Sequence, residues 1–173
     1  MTVLERVEQA GMEFEELVRE HRAMVFSLAY HFLHDRGVAE EIAQEVFLSL
    51  HRNLARVESP THALFWLRQS TMRRAIDEAR RRRRRPQVAL DAVPEPRTGG
   101  APGDPLLGEV LRRLIASLPE APRMAMVLRY QEDLDPPEIA KVLDMPLATV
   151  KSHLHRSLAL LREKLARRGV GEP

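Results

Sequence analysis

Residues 135–168 constrain this chain most. They run Asp135-Pro136-Pro137-Glu138-Ile139-Ala140-Lys141-Val142-Leu143, pass through Asp144-Met145-Pro146, and continue from Leu147 as a long basic stretch. Asp135 is a good N-cap, Pro136 suits the first helical position, and Glu138 completes an Asp-x-x-Glu capping box. Beyond the turn, Leu147, Val150, Leu154, Leu158, Leu161 and Leu165 recur three or four residues apart, the spacing of one inward-facing helical stripe. Short helix, tight turn and longer helix make a helix-turn-helix pattern, which can seat its second helix in the major groove of DNA. Thr149, Ser152 and Arg156 fall opposite the apolar stripe, with Lys151 and His153 on its flanks. Such side chains can donate hydrogen bonds to phosphates or base edges. An ordinary helical hairpin with a solvated polar face fits the same residues, so this segment alone leaves DNA binding open.

A second basic device lies upstream. Arg80 to Arg85 are six consecutive arginines, enough to cover every face of a helix end. Packing does not call for such a run, because some members must point to solvent and all repel one another. The helix C-terminal dipole offsets part of the repulsion. A solvated basic helix end is the plain alternative; contact with phosphates explains the run better, and makes binding steeply salt-dependent. Phe65 and Trp66 lie just before it, with His62 nearby. Unpaired bases can stack on such rings, although core packing accounts for Trp66-Leu67 better.

The charge distribution supports two positive surfaces. The net charge is only +2, yet residues 1–58 carry 6 basic and 11 acidic side chains, and residues 59–85 carry 9 and 2. The C-terminal half repeats the order, acidic first and basic last. Basic blocks attract nucleic acid; acidic blocks face solvent or a basic protein partner. There is no cysteine, so disulfides and thiolate metal sites are excluded. No apolar run approaches the roughly 20 residues of a membrane span, and no signal-peptide core opens the chain. A soluble cytoplasmic protein without membrane insertion is expected.

Between the halves, residues 86–103 hold four prolines and three glycines in 18 positions and read as a flexible linker. The expected architecture is all-α: a helical domain over residues 1–85, the linker 86–103, and a helix-turn-helix domain over 104–173. A lead-in helix over Thr2 to Ala10 precedes three main helices, from Met12 to Leu33, from about Asp35 to Asn53, and from Ser59 until Pro86. Downstream, a helix opening at Asp104-Pro105 should bury Leu107, Val110, Leu111, Leu114 and Leu118. Another starts at Pro119, ahead of the helix-turn-helix pair. With five residues after Arg168, no appended sensing domain is expected.

Two features sit outside this scheme. Leu48 points away from the apolar face Ile42, Ala43, Val46, Phe47 and Leu50, among Glu41, Gln44, Glu45 and Arg52. It is either one stray exposed leucine or the apolar anchor of a docking surface. His31 and His34 share a helix face, but no carboxylates at matching spacing accompany them, and no nucleophile array or phosphate-cradling loop is present. No metal, cofactor or catalytic role is expected.

Taken in order, these segments resemble the bacterial RNA polymerase sigma factors of the extracytoplasmic-function (ECF) group, in the sigma-70 family, which keep only regions two and four. The segment Ala39 to Leu50 is similar to the region-two signature. Trp66-Leu67, Ala75-Ile76-Asp77 and the arginines fit the promoter-melting helix. Leu118-Pro119-Glu120, Val127 to Tyr130, Glu138-Ile139-Ala140 and Thr149 to Arg156 follow the region-four pattern.

The resemblance implies roles. Glu41, Gln44, Glu45 and Leu48 would dock on the clamp helices of the polymerase largest subunit, with the flap as a further contact. Trp66, Arg73, Arg74, Asp77, Arg80, Arg81 and Arg84 would capture and open the minus-ten element. Thr149, Lys151, Ser152, His153 and Arg156 would read the minus-thirty-five element. An anti-sigma partner is often found in the family. Departures include Arg73 where Asn is frequent, Ala63 for an aromatic, Asp144 for the turn glycine, His153 for Arg, and Pro136-Pro137 for aromatic and acidic residues; they bear on promoter sequence. The competing reading is a helix-turn-helix regulator that binds duplex DNA unaided.

Overall fold

The computed structural model describes residues 3–84 and 105–167, with side chains from residues 13 and 109 onward in the two halves. The expected linker at 86–103, Leu107 and the capping box at Thr2 lie outside what is described. Among the described residues the chain is all-α.

The N-terminal half contains α1 (Val3–Leu33), α2 (Arg36–Asn53), a short 3-10 turn (Leu54–Arg56) and α3 (Pro60–Arg84). The lead-in helix and first helix expected as separate elements are one continuous α1. Gly11 is the only weak point between them, and a glycine costs a helix only about 1 kcal/mol without breaking it. Leu33 ends α1, His34 takes a left-handed φ of 53°, and Asp35 caps α2 by accepting from the Val38 amide at 3.0 Å. Ser59 caps α3, its hydroxyl accepting from the His62 amide at 3.1 Å. The three helices close on Leu28, Phe32, Val46, Leu50, Leu67 and Met72, all buried.

The C-terminal half contains α4 (Pro105–Ala116), α5 (Glu120–Gln131), α6 (Pro136–Leu143) and α7 (Leu147–Ala166). The capping box forms as expected. The Glu138 amide donates to Asp135 at 2.9 Å, and the Asp135 amide donates to Glu138 at 2.8 Å. Asp144 occupies the left-handed turn position at φ 52°, and the following Met145 amide reaches back to the Ala140 carbonyl at 3.0 Å. This 6→1 bond closes α6 and aims α7 away from it. Ile139, Val142, Val150, Leu154 and Leu161 fill the core under the pair, together with Met124 to Leu128 of α5.

Two expected core positions are corrected. Leu111 and Leu147 are both more than a third exposed. Each sits at the edge of its helix stripe, where no other element covers it. The buried line of α7 runs instead through Val150, Leu154, Ser157 and Leu161, with Leu158 and Leu165 half-buried beside it.

The halves pack on each other. Helix α5 lies against α1, and α6 lies against α3. Buried apolar side chains form one continuous cluster across both halves.

Candidate nucleic-acid interface

Helix α3 carries the first basic surface. At 100° per residue, Trp66, Arg73, Asp77, Arg80 and Arg84 fall on one side of it. Arg73, Asp77, Arg80 and Arg84 are exposed, while Trp66 is half-buried against the core. Arg74 and Arg81 lie on the flank that faces α2. Arg74 donates to Glu45 at 2.6 Å, and Arg81 donates to Glu78 at 2.7 Å. Exposed pairs of this kind are worth only about 0.2–1 kcal/mol, so an anionic partner can displace them.

The arginine run is mostly exposed, with one exception. Arg80, Arg81, Arg83 and Arg84 are exposed. Arg82, by contrast, is half-buried and has a packing role: it bridges Asp35 at 2.7 Å and Glu78 at 2.9 Å, tying the end of α3 to the α1–α2 turn. Asp35 is held below the usual carboxylate range by the Val38 amide first and by Arg82 second. For Glu78, burial works against ionisation, but hydrogen bonds from Arg81 and Arg82 outweigh it and the pKa is lowered.

The outward face of α2 is separate from this surface. Glu41, Gln44, Glu45 and Leu48 are spaced i, i+3, i+4 and i+7, and all four are exposed. Leu48 is 57% exposed, the largest value among the exposed large apolar side chains described. Its helix neighbours Ile42, Val46, Phe47 and Leu50 are buried, so the face is amphipathic in the inverse sense: one leucine on a polar side.

Helix α7 presents the second basic surface. Lys151 and Arg156 are exposed, and Thr149, Ser152 and His153 are half-exposed. Ser152 and Arg156 stand opposite the buried line, while Lys151 and His153 flank them on either side. His155, exposed on the same outer surface, was not among the residues picked from sequence. The α7 N-terminus follows Pro146 with no side-chain cap, which leaves its first amides pointing outward. Helix, turn and exposed polar face together are what major-groove insertion needs.

The contacts that sequence reasoning missed are those between the halves. Arg68 of α3 donates twice to Glu132, at 3.1 and 3.0 Å, and both side chains are largely covered. Burial raises the Glu132 pKa, and Arg68 pulls in the opposite direction. Glu120, at the start of α5, pairs with Arg80 at 3.5 Å and with Arg83. Arg123 stacks 4.5 Å over the Phe32 ring and donates to the Phe32 carbonyl at 3.3 Å. His31 and His34 also meet the second half. Both imidazoles titrate below the ordinary value, through burial first and then the nearby charges, which include Arg112 for both and Arg123 for His34. No cluster of three or more metal-ligating side chains occurs among the described residues, and none of the described helices is long and apolar enough to cross a membrane.

Comparison with known proteins matches this geometry. The family model for Sigma-70 region 2 covers residues 17–85, and that for Sigma-70 region 4 covers residues 108–161. The chain is 35% identical over 170 residues to the ECF RNA polymerase sigma factor SigE of Mycolicibacterium smegmatis, covering 92% of this chain and 65% of that protein's length. It is 30% identical over 181 residues to the ECF RNA polymerase sigma-E factor of Escherichia coli K12, covering 94% of this chain and 92% of the relative. Its fold is that of the sigma factor RpoE solved with the anti-sigma factor NepR from Bartonella quintana. The TM-score is 0.73 at 16% identity, over 89% of this chain and 97% of that one. Helix α3 and its arginines thus lie within region 2, and α6 with α7 up to residue 161 lies within a DNA-binding region 4. The chain belongs to the extracytoplasmic-function group of the sigma-70 family of RNA polymerase sigma factors.

Proposed function

We propose that this chain binds core RNA polymerase and directs initiation at a specific set of promoters, through three surfaces on three helices. The α2 face, with Glu41, Gln44 and Glu45 around Leu48, docks on the clamp helices of the polymerase largest subunit, and the C-terminal half engages the flap. The α3 face captures the minus-ten element: Arg73, Arg80 and Arg84, with Arg74 and Arg81 at the side, grip the backbone. Trp66 stacks on or wedges beside an extruded base. Asp77, the one acid in that stripe, can accept from an exocyclic amine of an unpaired base. Helix α7 enters the major groove at the minus-thirty-five element with Thr149, Lys151, Ser152, His153 and Arg156. Residues 1–85 and 104–173 act as the two DNA-engaging domains, joined by 86–103. The protein works where the polymerase works, in the cytoplasm, and as an initiation factor it performs no catalysis of its own. The likeness to a sigma factor held by an anti-sigma factor supports a protein partner of that kind here.

The observation that carries this reading is the exposed α2 face. A regulator that bound duplex DNA unaided would use α7 and would leave Leu48 and the α3 arginines without a purpose. The two readings separate in a gel shift on a cognate promoter. This account expects weak binding by the chain alone and a discrete shift once purified core enzyme is added. Equal affinity with and without core enzyme would favour the regulator.

A further inference from the structure

The leading tip of α7 is apolar, and core packing does not account for it. Pro146, Leu147 and Ala148 are all exposed where the turn after α6 gives way to α7. Leu147 is 38% exposed and stands outside the core cluster, which takes in Met145 before it and Val150 after it. An exposed leucine alone is ordinary; the place of this one is what matters. The Thr149 and Val150 amides donate to the Pro146 carbonyl at 2.9 and 3.1 Å and close the first turn of the helix. Leu147 is therefore held at the first helical position, not on a loose strand of the turn. The Cα–Cβ bonds of an α-helix tilt toward its N-terminus, so this side chain projects forward past the end of α7.

A helix seated in the major groove meets the base edges with its N-terminal residues. Leucine has no donor and no acceptor, so it cannot pair with the polar groups presented there. The apolar group on those edges is the thymine C5-methyl. Against cytosine or adenine, Leu147 would strip water from an exocyclic amine and leave it unpartnered; against guanine, it would do the same to O6 and N7. Either loss weakens binding. The side chain thus rewards one base and penalises the other three. Ala148, one turn before Ser152 on the outer side of the helix, is small enough to let the backbone come close to the base edge.

We propose that Leu147 is a specificity-determining residue, selecting a thymine in the minus-thirty-five element by packing on its C5-methyl. The assignment rests on the sigma reading above and adds to it a base contact made without a hydrogen bond. It places the thymine at the end of the element that meets the start of α7, while Ser152 and Arg156 face bases or phosphates further along.

The test uses holoenzyme assembled from the full chain and core polymerase, on a duplex promoter selected for tight binding from a randomised minus-thirty-five library. Each thymine of the element, on either strand, is replaced in turn by deoxyuridine, which removes the methyl alone. One such replacement should weaken binding by the wild type about fourfold, the worth of one buried methyl-sized group. Leu147→Ala should weaken binding to the thymine promoter by at least that factor and should bind its thymine and deoxyuridine forms equally. Leu147→Met, apolar and of similar volume, should restore the preference. The slope of log affinity against log salt should be the same throughout, because no phosphate contact changes. Should Leu147→Ala melt well below the wild type, Leu147→Gln carries the same comparison. A selected element without thymine, a wild type indifferent to every deoxyuridine, or a preference that survives the loss of Leu147 would each overturn the proposal. Failure to bind any promoter in the library would overturn the sigma reading and this contact with it, whereas indifference to deoxyuridine on a tightly bound promoter overturns the contact alone.

Discussion

The Arg74 guanidinium donates to the Glu45 carboxylate at 2.6 Å, joining α3 to α2 across 29 residues of sequence. One partner belongs to the surface assigned to DNA, the other to the surface assigned to polymerase. The pair bridges the two surfaces, and the packing of α2 on α3 beneath it sets them side by side, so a chain docked through α2 presents α3 to the DNA in one orientation.

Docking through α2 should rest on Leu48. An exposed leucine that becomes covered contributes about 1.5–3 kcal/mol. Leu48→Ala should weaken core binding by roughly 10-fold or more and leave the thermal midpoint within about 1 °C of wild type, since the side chain touches no core. Glu45→Gln should weaken it less and should also free Arg74. Titration of labelled core enzyme, paired with thermal melts, reads both effects.

The salt dependence of promoter binding counts phosphates. Arg80 and Arg84 are exposed on the α3 stripe, and each phosphate neutralised adds about 0.9 to the slope of log affinity against log salt. Arg80→Gln/Arg84→Gln holoenzyme should show a slope shallower by about 2 on the same promoter. An unchanged slope would remove these arginines from the DNA interface.

Helix α7 should carry the sequence preference. Arg156→Ala should cost about 1–3 kcal/mol if the side chain reads a base, and the loss should be confined to promoters bearing the cognate base. A loss spread evenly over all promoters would reassign Arg156 to a phosphate. A minus-thirty-five library scored for binding distinguishes the outcomes.

Stability should fall on acidification. In the folded chain His31 and His34 titrate below their ordinary value of 6.5, because burial disfavours the imidazolium and nearby charge, chiefly Arg112 for His31 and His31 with Arg123 for His34, adds to it. Below that ordinary value the unfolded chain binds more protons than the folded one. Stability is then full above about pH 6.5 and is lost as the pH falls through the folded-state values. Glu109 opposes the effect at His34. Thermal melts at about pH 7.5 and pH 5.5 should show the drop, and His31→Gln/His34→Gln should reduce it.

Local chemistry was legible in the sequence wherever a few adjacent residues decide the outcome. The Asp135–Glu138 box, the left-handed Asp144, the Ser59 cap and the exposure of Leu48 all depend on neighbours within one helical turn. Periodicity located the buried side of α7 but misjudged its edge. Ser157 takes a buried place between Leu154 and Leu161 that a reading of apolar residues skips, and Leu147 sits where the stripe has run out of partner. The charge count of the arginine run says nothing of Asp35, whose carboxylate reaches Arg82 from 47 residues away. Least legible were Arg68–Glu132 and Glu120 with Arg80 and Arg83. Charged residues on helix surfaces carry no periodic mark of their partners, so only the packing of α5 and α6 on α1 and α3 brings them together.

Run-off transcription with purified core polymerase over a promoter library tests the central claim most directly. The account predicts initiation that requires this chain, at promoters sharing paired upstream elements, and that is lost with Leu48→Asp. No initiation from any promoter, together with no detectable binding to core enzyme, would contradict it.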